Sequence, residues 1–154
     1  MQGDEFTQYV RKYSDMVYRV AYSCTHSAPD SEDIMQDVLL KLYICEKKFH
    51  DDEHVKAWLI RVAVNRSRDV LRSVNKKRTE ELREGLSVSD EEPSSDLHTA
   101  MAGLSRDHRL VIYLFYYEGY SVKEISKILR ITESNVKTRL KRAREKLRAF
   151  LNDE

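Results

Sequence analysis

The residue types best suited to binding chemistry lie near the C-terminus, in a strongly basic run. From Arg130 to Arg148 there are 8 basic and 2 acidic residues. On a helix, small polar side chains and lysine near its start can form hydrogen bonds with base edges, while arginines contact phosphates. One predicted helix face carries the candidates for base contact, which are Ser134, Asn135, Lys137, Thr138, Lys141 and Arg142. This pattern indicates recognition of duplex DNA.

A helix-turn-helix is predicted to position these side chains. Ser121 and Glu124 form a capping box, which predicts a short helix over residues 122–129. A longer helix is expected from Glu133 to about residue 151, and this arrangement projects the second helix into a major groove. Arg130 falls in the turn, where a non-glycine residue at positive φ costs about 1 kcal/mol. The buried face of the longer helix is predicted to carry Val136, Leu140, Ala143 and Leu147.

The first 72 residues predict three further helices that can close a core. Apolar residues recur at steps of three and four over residues 6–24. A second apolar stripe over residues 34–45 follows a predicted cap at Asp30 or Ser31. A third stripe includes Trp58, which we interpret as a core residue because an aromatic side chain on such a stripe is usually buried.

Charge and composition divide the chain into three parts. Residues 1–72 carry 11 basic and 12 acidic side chains, residues 73–98 carry 4 and 7, and residues 99–154 carry 12 and 7. The middle part loses helical periodicity, so a flexible acidic linker is predicted there. With 4 Gly and 2 Pro among 154 residues, the expected fold is all-α. Two small domains are predicted: a three-to-four-helix bundle over 1–72 and a helix-turn-helix domain over 99–154.

Several classes of protein are excluded by composition. Two cysteines without CxxC spacing predict reduced, buried thiols rather than a disulfide scaffold. The longest apolar run has 8 residues, far fewer than the roughly 20 needed to span a bilayer, so membrane insertion is not expected. The polar cluster at residues 51–54 has no second set of metal ligands, and we interpret it as a solvated loop. No catalytic, metal or cofactor site is predicted.

The motifs of both domains resemble those of the bacterial extracytoplasmic-function (ECF) sigma factors. Residues 30–38 (DSEDIMQDV) and 57–65 (AWLIRVAVN) resemble sigma region 2, and residues 104–109, 116–121 and 136–147 resemble sigma region 4. The resemblance implies a dissociable subunit, not itself an enzyme, that directs core RNA polymerase to promoters and helps open the duplex. It also implies a cytoplasmic protein that acts with polymerase at the nucleoid, typically in a stress response.

The resemblance assigns roles to residues of the N-terminal domain and names partners. It implies that Asp33, Gln36 and Asp37 bind core polymerase, whose β′ clamp and β flap the family contacts. From periodicity alone, these residues are equally well a solvated helix start whose acids favour the helix dipole. The family is usually held inactive by an anti-sigma factor, which is therefore an expected partner beside polymerase and promoter DNA.

The resemblance also implies that the −10 promoter element is bound as single-stranded DNA, in a pocket bounded by the loop at residues 47–54. Asn65 would contact a flipped base, since an amide carries both a donor and an acceptor. Phe49 would wall the pocket or, equally, pack at the helix end, and a helix–helix hydrogen bond is the alternative for Asn65. The −10 candidates are Phe49, Arg61, Asn65, Arg66 and Arg68, and the −35 candidates are the six residues of the basic helix named above.

Two other functions fit parts of the pattern. A one-component transcription regulator would use its N-terminal helices to bind a ligand or to dimerise, and it would bind duplex DNA without polymerase. A helical adaptor would leave the charge of the recognition helix without a role. A sigma factor binds promoter DNA well only with core polymerase, whereas a one-component regulator binds it alone. A helical adaptor is distinguished by salt, because only a protein that contacts DNA phosphates loses promoter binding as salt rises.

Overall fold

The computed structural model describes residues 1–83 and 96–152. Every element of secondary structure in these ranges is a helix, which confirms the predicted all-α fold. The elements are α1 (Gly3–Thr25), α2 (Ala28–Ile44), α3 (Asp52–Arg83), α4 (Asp96–Ala102), α5 (Arg106–Ile112), a π-helical turn (Tyr113–Tyr117), α6 (Val122–Leu129) and α7 (Glu133–Asn152).

The N-terminal unit, α1 to α3, is a three-helix bundle around a buried apolar core. The stripes predicted from periodicity meet there, because steps of three and four place their residues on one face of each helix. Each of the three helices contacts the other two. The fully buried side chains of this core include Val17, Val20, Ile34, Val38, Leu42, Leu59 and Ile60.

α2 begins earlier than predicted. Its cap is Ser27, whose side chain accepts a hydrogen bond from the backbone N–H of Asp30, and not Asp30 or Ser31. Pro29 lies in the first turn, where the missing N–H would have no intrahelical partner in any case, so the proline starts the helix rather than breaking it. Ser31 is buried and donates to the carbonyl of Ser27 at 2.6 Å.

α3 continues to Arg83, so the helix occupies residues 73–83 that were predicted to begin the linker. The helix passes the predicted boundary because lysine, arginine and glutamate are good helix formers, a preference that apolar periodicity does not detect. Residues 84–95 of the predicted acidic linker lie outside the described residues.

The C-terminal unit contains the predicted helix-turn-helix. Ser121 accepts from the N–H of Glu124 at 3.1 Å, and the Glu124 carboxylate accepts from the N–H of Ser121 at 3.0 Å, which confirms the capping box. Arg130 follows α6 with φ 58°, the left-handed conformation predicted for the turn. The core between α5, α6 and α7 is built from Leu110, Leu114, Ile125, Val136 and Leu140.

The two units pack directly against each other, α1 on α5 and α3 on α6. We call this packing the closed arrangement. Arg109 of α5 is buried and reaches across the boundary, donating to the carbonyls of Ser23 at 2.7 Å and Cys24 at 2.9 Å. A second link is the ion pair between Lys56 and Glu118, 3.1 Å apart and mostly shielded from solvent. Sequence periodicity gave no indication of this packing.

Candidate nucleic-acid interface

The outer face of α7 presents all six residues predicted to read duplex DNA. Each of them is exposed, while Val136 and Leu140 on the opposite face are buried. The helix start is fixed by Thr132, whose hydroxyl accepts from the N–H of Asn135 at 3.0 Å. Among the described residues, no hydrogen bond or ion pair occupies the side chains of Lys137, Lys141 and Arg142. Their cationic groups are therefore available to a partner.

Two other arginines of α7 hold the helix in place. Arg139 donates to the side chain of Asn135 at 2.9 Å and lies 3.8 Å from the carboxylate of Asp107 on α5. Arg144 donates to the hydroxyl of Tyr116 at 2.6 Å and lies over its ring. These contacts orient α7 on the π-helical turn and α5, so the two side chains support the recognition face rather than extend it.

Asp107 on α5 interacts with arginines of both α5 and α7. Burial opposes its ionisation, but the hydrogen bond from Arg106 at 2.7 Å and the charges of Arg106 and Arg139 hold its pKa below the usual value. An ionised Asp107 therefore remains paired with α5 and α7 at neutral pH.

Three of the predicted −10 residues lie together on α3, at one wall of a cleft. Arg61, Asn65 and Arg68 face the turn after α6, and the opposite wall includes Arg130 and Ile131. The cleft has a volume of about 320 Å³. Asn65 is exposed and forms no hydrogen bond with the part of the chain that the structure describes, so the helix–helix alternative for it is not observed.

The other two −10 candidates are placed differently. Arg66 points toward α2 and forms an ion pair with Asp37 at 2.8 Å. Phe49 is half-buried in an aromatic cluster with Trp58, 5.6 Å between ring centroids, and Tyr9, 6.4 Å away. Phe49 packs against the core at the helix end, as its alternative interpretation stated, and one edge stays accessible. Trp58, predicted as a core residue, packs against the core but is only half-buried.

The candidate polymerase-binding residues lie on the outer face of α2. Asp33 and Gln36 are exposed, and Asp37 is half-buried beside Arg66. The same face continues with Leu40 and Ile44, which are 59% and 66% exposed. Sequence analysis missed these two residues because it assigned apolar positions on α2 only to the buried stripe. Their spacing of four residues, in phase with Gln36, is the signal that could have identified them.

A cluster of titratable groups lies where α4 and α5 meet the end of α1. The His26 ring lies edge-on to His98, with centroids 4.4 Å apart, and the Tyr22 hydroxyl is 3.2 Å from Nε2 of His98. Burial, then the positive charge of Arg109 and the neighbouring His98, lower the pKa of His26. Burial raises the pKa of the Cys24 thiol to about 11, which keeps it protonated and unreactive.

The described residues contain neither a metal-binding cluster nor a membrane-spanning helix. No group of three or more His, Cys, Asp or Glu side chains in residues 1–83 and 96–152 is arranged to hold a metal ion. None of the helices in these same ranges is both long and apolar enough to cross a membrane.

Family models match both parts of the chain. The model for sigma-70 region 2 matches residues 9–78, and the model for sigma-70 region 4 matches residues 94–147. The first match covers the bundle and the start of the α3 extension. The second covers α4 to most of α7, including the entire recognition face.

Curated relatives extend over most of the chain. The ECF RNA polymerase sigma factor SigM of Bacillus subtilis (strain 168) is 31% identical, with 91% of each chain covered. SigW of the same organism is 29% identical, covering 97% of this chain and 90% of its own. SigM of Mycobacterium tuberculosis (strain ATCC 25618 / H37Rv) is 28% identical over 95% of this chain and 76% of its own.

Solved structures share the fold over nearly the full length. The sigma factor RpoE from Bartonella quintana, in complex with the anti-sigma factor NepR, has a TM-score of 0.73 at 25% identity, covering 96% of this chain and 97% of its own. CnrH, in complex with the cytosolic domain of CnrY, has a TM-score of 0.72 at 26% identity, covering 99% and 91%.

Proposed function

The chain belongs to the ECF sigma factors of the sigma-70 family, and we propose that three of its surfaces carry out promoter-directed initiation. α2 binds core RNA polymerase, α3 binds the single-stranded −10 element, and α7 reads the duplex −35 element. The observation that supports this most strongly is the exposed face of α7, where unpaired cations stand beside small polar side chains on the second helix of a helix-turn-helix.

On α7, position along the helix separates the roles. Ser134, Asn135 and Thr138 lie in the first two turns, where side chains come nearest to base edges in a major groove. Lys137 joins them, while Lys141 and Arg142 lie one turn further and can bind phosphates or guanine edges. The contacts of Arg139 and Arg144 with the preceding segment fix the angle at which this face meets DNA.

On α2, the proposed polymerase surface combines acidic, polar and apolar side chains. Asp33, Gln36 and Asp37 supply charge and hydrogen-bonding groups, and Leu40 and Ile44 supply apolar area that water otherwise covers. Such a mixed face suits a protein partner, because interfaces bury an apolar centre inside a polar rim. A face of this composition repels the DNA backbone, which separates it from the basic surfaces.

On α3, Asn65 is proposed to form hydrogen bonds with a flipped base of the −10 element, and Arg61 and Arg68 to bind the flanking phosphates. Phe49 lies outside the lining of the cleft that Asn65 lines and is proposed to wall the base pocket from the loop before α3. Arg66 acts from its position beside Asp37, where it links this surface to the polymerase surface.

The proposal extends to partners and setting. Polymerase supplies all catalysis, so the chain has no enzymatic activity of its own, and it acts in the cytoplasm with polymerase at the nucleoid. An anti-sigma factor is a proposed partner. Support comes from the similar solved structure of the sigma factor RpoE from Bartonella quintana, which is in complex with the anti-sigma factor NepR and matches 96% of this chain.

Run-off transcription tests the proposed function. The purified chain is added to bacterial core polymerase free of other sigma subunits, on a promoter library, with each component also tested alone. Transcripts from a defined set of promoters are expected only when both are present. Absence of transcripts, together with tight duplex binding by the chain alone, would contradict the proposal.

Variants divide the proposed roles. Asn65→Ala is expected to bind core polymerase normally and to form fewer open complexes, because only the base contact is removed. Permanganate reactivity of unpaired thymines in the promoter measures opening. Normal opening by this variant would remove Asn65 from the proposed base contact.

A further inference from the structure

The cleft between α3 and the turn after α6 has a charge pattern unlike the rest of the boundary between the two units. Elsewhere, cations that cross the boundary have partners: Lys56 pairs with Glu118, Arg109 donates to backbone carbonyls, and Arg19 lies over the ring of Tyr117. In the cleft, guanidinium groups enter from both sides, Arg61 and Arg68 from α3 and Arg130 from the turn.

No carboxylate in residues 1–83 or 96–152 forms an ion pair with Arg61, Arg68 or Arg130. The nearby acids are already committed, Asp37 to Arg66 at 2.8 Å and Asp107 to Arg106 at 2.7 Å. Burial and the positive charge of Arg130 lower the pKa of Arg61. The closed arrangement therefore brings Arg61 and Arg130 close together without an ion-pair partner, while Arg68 also lies near the Asp107 carboxylate, whose pKa it helps to lower.

The other residues that line the cleft favour a ligand that has hydrogen-bonding and apolar groups as well as negative charge. Asn65 is exposed to the cleft and offers an amide donor and acceptor. Val64, Ile128 and Ile131 add an apolar lining beside it. A volume of about 320 Å³ is at the small end of the range for ligand sites, which begins near 300 Å³. Arginine forks match phosphate oxygens in geometry as well as charge.

We propose that this cleft binds a small anion of nucleotide size that carries two or more adjacent phosphates, and that the anion bridges the two units and stabilises the closed arrangement. The phosphates lie among Arg61, Arg68 and Arg130, and the organic part lies against Asn65 and Ile131. The site exists only while the units are packed together, so by linkage the bound anion shifts the population toward the closed arrangement.

The regulatory consequence rests on the proposed function, because Arg61, Asn65 and Arg68 are also the proposed −10 surface. An anion held there and a single DNA strand compete for the same side chains. Anion binding is then expected to oppose promoter binding, whereas the binding event itself can be measured without DNA or polymerase.

Isothermal titration calorimetry of the full chain tests the proposal, with ATP, pyrophosphate and inorganic phosphate as probes. Binding that strengthens from phosphate to pyrophosphate is expected, at one site per chain. The decisive variant is Arg130→Gly, since glycine accepts φ 58° without strain, so the Arg130 side chain is removed while the backbone of the turn is kept. We expect at least a tenfold weaker affinity for pyrophosphate and unchanged helicity by circular dichroism. Arg11→Ala, an exposed arginine of α1, is the matched control.

Small-angle scattering supplies the second readout, because pyrophosphate is expected to reduce the fraction of open molecules in the wild-type chain and not in Arg130→Gly. Equal affinity of wild type and Arg130→Gly would overturn the proposal. So would binding of a single-stranded oligonucleotide without binding of pyrophosphate or ATP, which would leave the cleft as a DNA surface only. Arg130→Gly leaves Arg61, Asn65 and Arg68 of the proposed −10 surface in place. Calorimetry of this variant tests the anion site without DNA or polymerase, whereas run-off transcription by the wild-type chain tests the proposed function, so the two can fail separately.

Discussion

The carboxylate of Asp37 on α2 accepts a hydrogen bond from Nε of Arg66 on α3 at 2.8 Å, so a residue of the proposed polymerase surface holds a residue of the proposed −10 surface. Both side chains are more than a third exposed, and such a pair contributes at most about 1 kcal/mol. The pair matters because it connects the proposed polymerase surface to the proposed −10 surface, so a substitution on one surface can displace a side chain on the other.

Asp37→Ala is therefore expected to weaken core binding and also to reduce promoter opening, whereas Gln36→Ala affects core binding alone. The opening defect of Asp37→Ala should be up to about fivefold and should disappear in an Arg66→Ala background, where the contact no longer exists. Open-complex formation at saturating polymerase measures it. Additive effects in the double variant would show that the pair does not couple the surfaces.

Replacing Leu40 and Ile44 with serine is expected to lower the affinity for core polymerase tenfold or more. Each exposed side chain would otherwise bury apolar area, at about 25 cal/mol per Å². The melting temperature should not fall, because neither residue belongs to the core. Competition for core polymerase against a labelled sigma subunit measures the affinity. Leu151→Ser, another exposed leucine, is the control and should bind normally; a wild-type affinity in the double variant would contradict the proposed surface.

Lys141→Ala and Arg142→Ala are expected to weaken promoter binding by the polymerase complex and to make it less sensitive to salt. Each lost phosphate contact should reduce the slope of log affinity against log salt by about one. Filter binding from 50 to 300 mM salt measures the slope. Arg11→Ala should retain the wild-type slope. An unchanged slope in both α7 variants would mean that this face does not contact phosphates.

Exchanging the charges of Lys56 and Glu118 should preserve the contact between the two units, whereas reversing only one of the charges should break it. Burial alone would lower the pKa of Lys56, but its ion pair with Glu118 outweighs burial and raises the pKa, as expected for a favourable contact. Lys56→Glu and Glu118→Lys should each open the closed arrangement and increase the radius of gyration. The double reversal should restore it, with a coupling of about 0.5 to 3 kcal/mol in stability. A double variant as open as either single variant would rule out the pair as a determinant of closure.

The closed arrangement is expected to weaken as the pH falls below about 6.5. The pKa of His26 is lowered, so the neutral ring is favoured when the units pack, whereas the opened or unfolded chain takes up a proton near the ordinary value. The groups facing His26 are Arg109 on α5, His98 on α4 and Tyr22 on α1, so a proton there adds charge beside a guanidinium. The contribution of His26 to the stability of the closed arrangement is therefore complete above the ordinary histidine pKa and is lost as the pH falls.

Thermal melting at pH 7.5 and 5.5 measures this loss. His26→Asn is the matched variant, because asparagine tolerates the left-handed φ of 53° and does not titrate. The difference in melting temperature between the two pH values should be smaller in this variant. His108 also has a lowered pKa, so part of the wild-type difference is expected to remain. An identical difference in both proteins would exclude His26 as its source.

The sequence predicted what local rules determine. The capping box at Ser121, the left-handed turn at Arg130 and the exposed face of α7 follow from cap chemistry and helical periodicity, and each was confirmed. The proposed roles of the individual site residues stay predictions, since geometry alone places them without testing them. α3 exceeded its predicted end because its last turns have helix-forming residues without an apolar stripe.

What could not be predicted depends on contacts between distant parts of the chain. Nothing near Arg109 in sequence marks it as a buried link to Ser23 and Cys24, because its acceptors are backbone carbonyls and these have no sequence signature. The cleft arises in the same way. Arg61 and Arg130 look like ordinary surface cations until the packing of α3 on α6 brings them to one cavity.

Arg109 of the C-terminal unit supplies hydrogen bonds to the C-terminal end of α1 in the N-terminal unit. The last carbonyls of a helix have no partner within it, and α1 has no basic residue in its final turn to serve them. Arg109 supplies that partner from 85 and 86 residues further along the chain. One helix terminus is thus shared between two folding units. The carbonyls of Ser23 and Cys24 lose this donor whenever the units separate, and they gain it only after a much later part of the chain has been made.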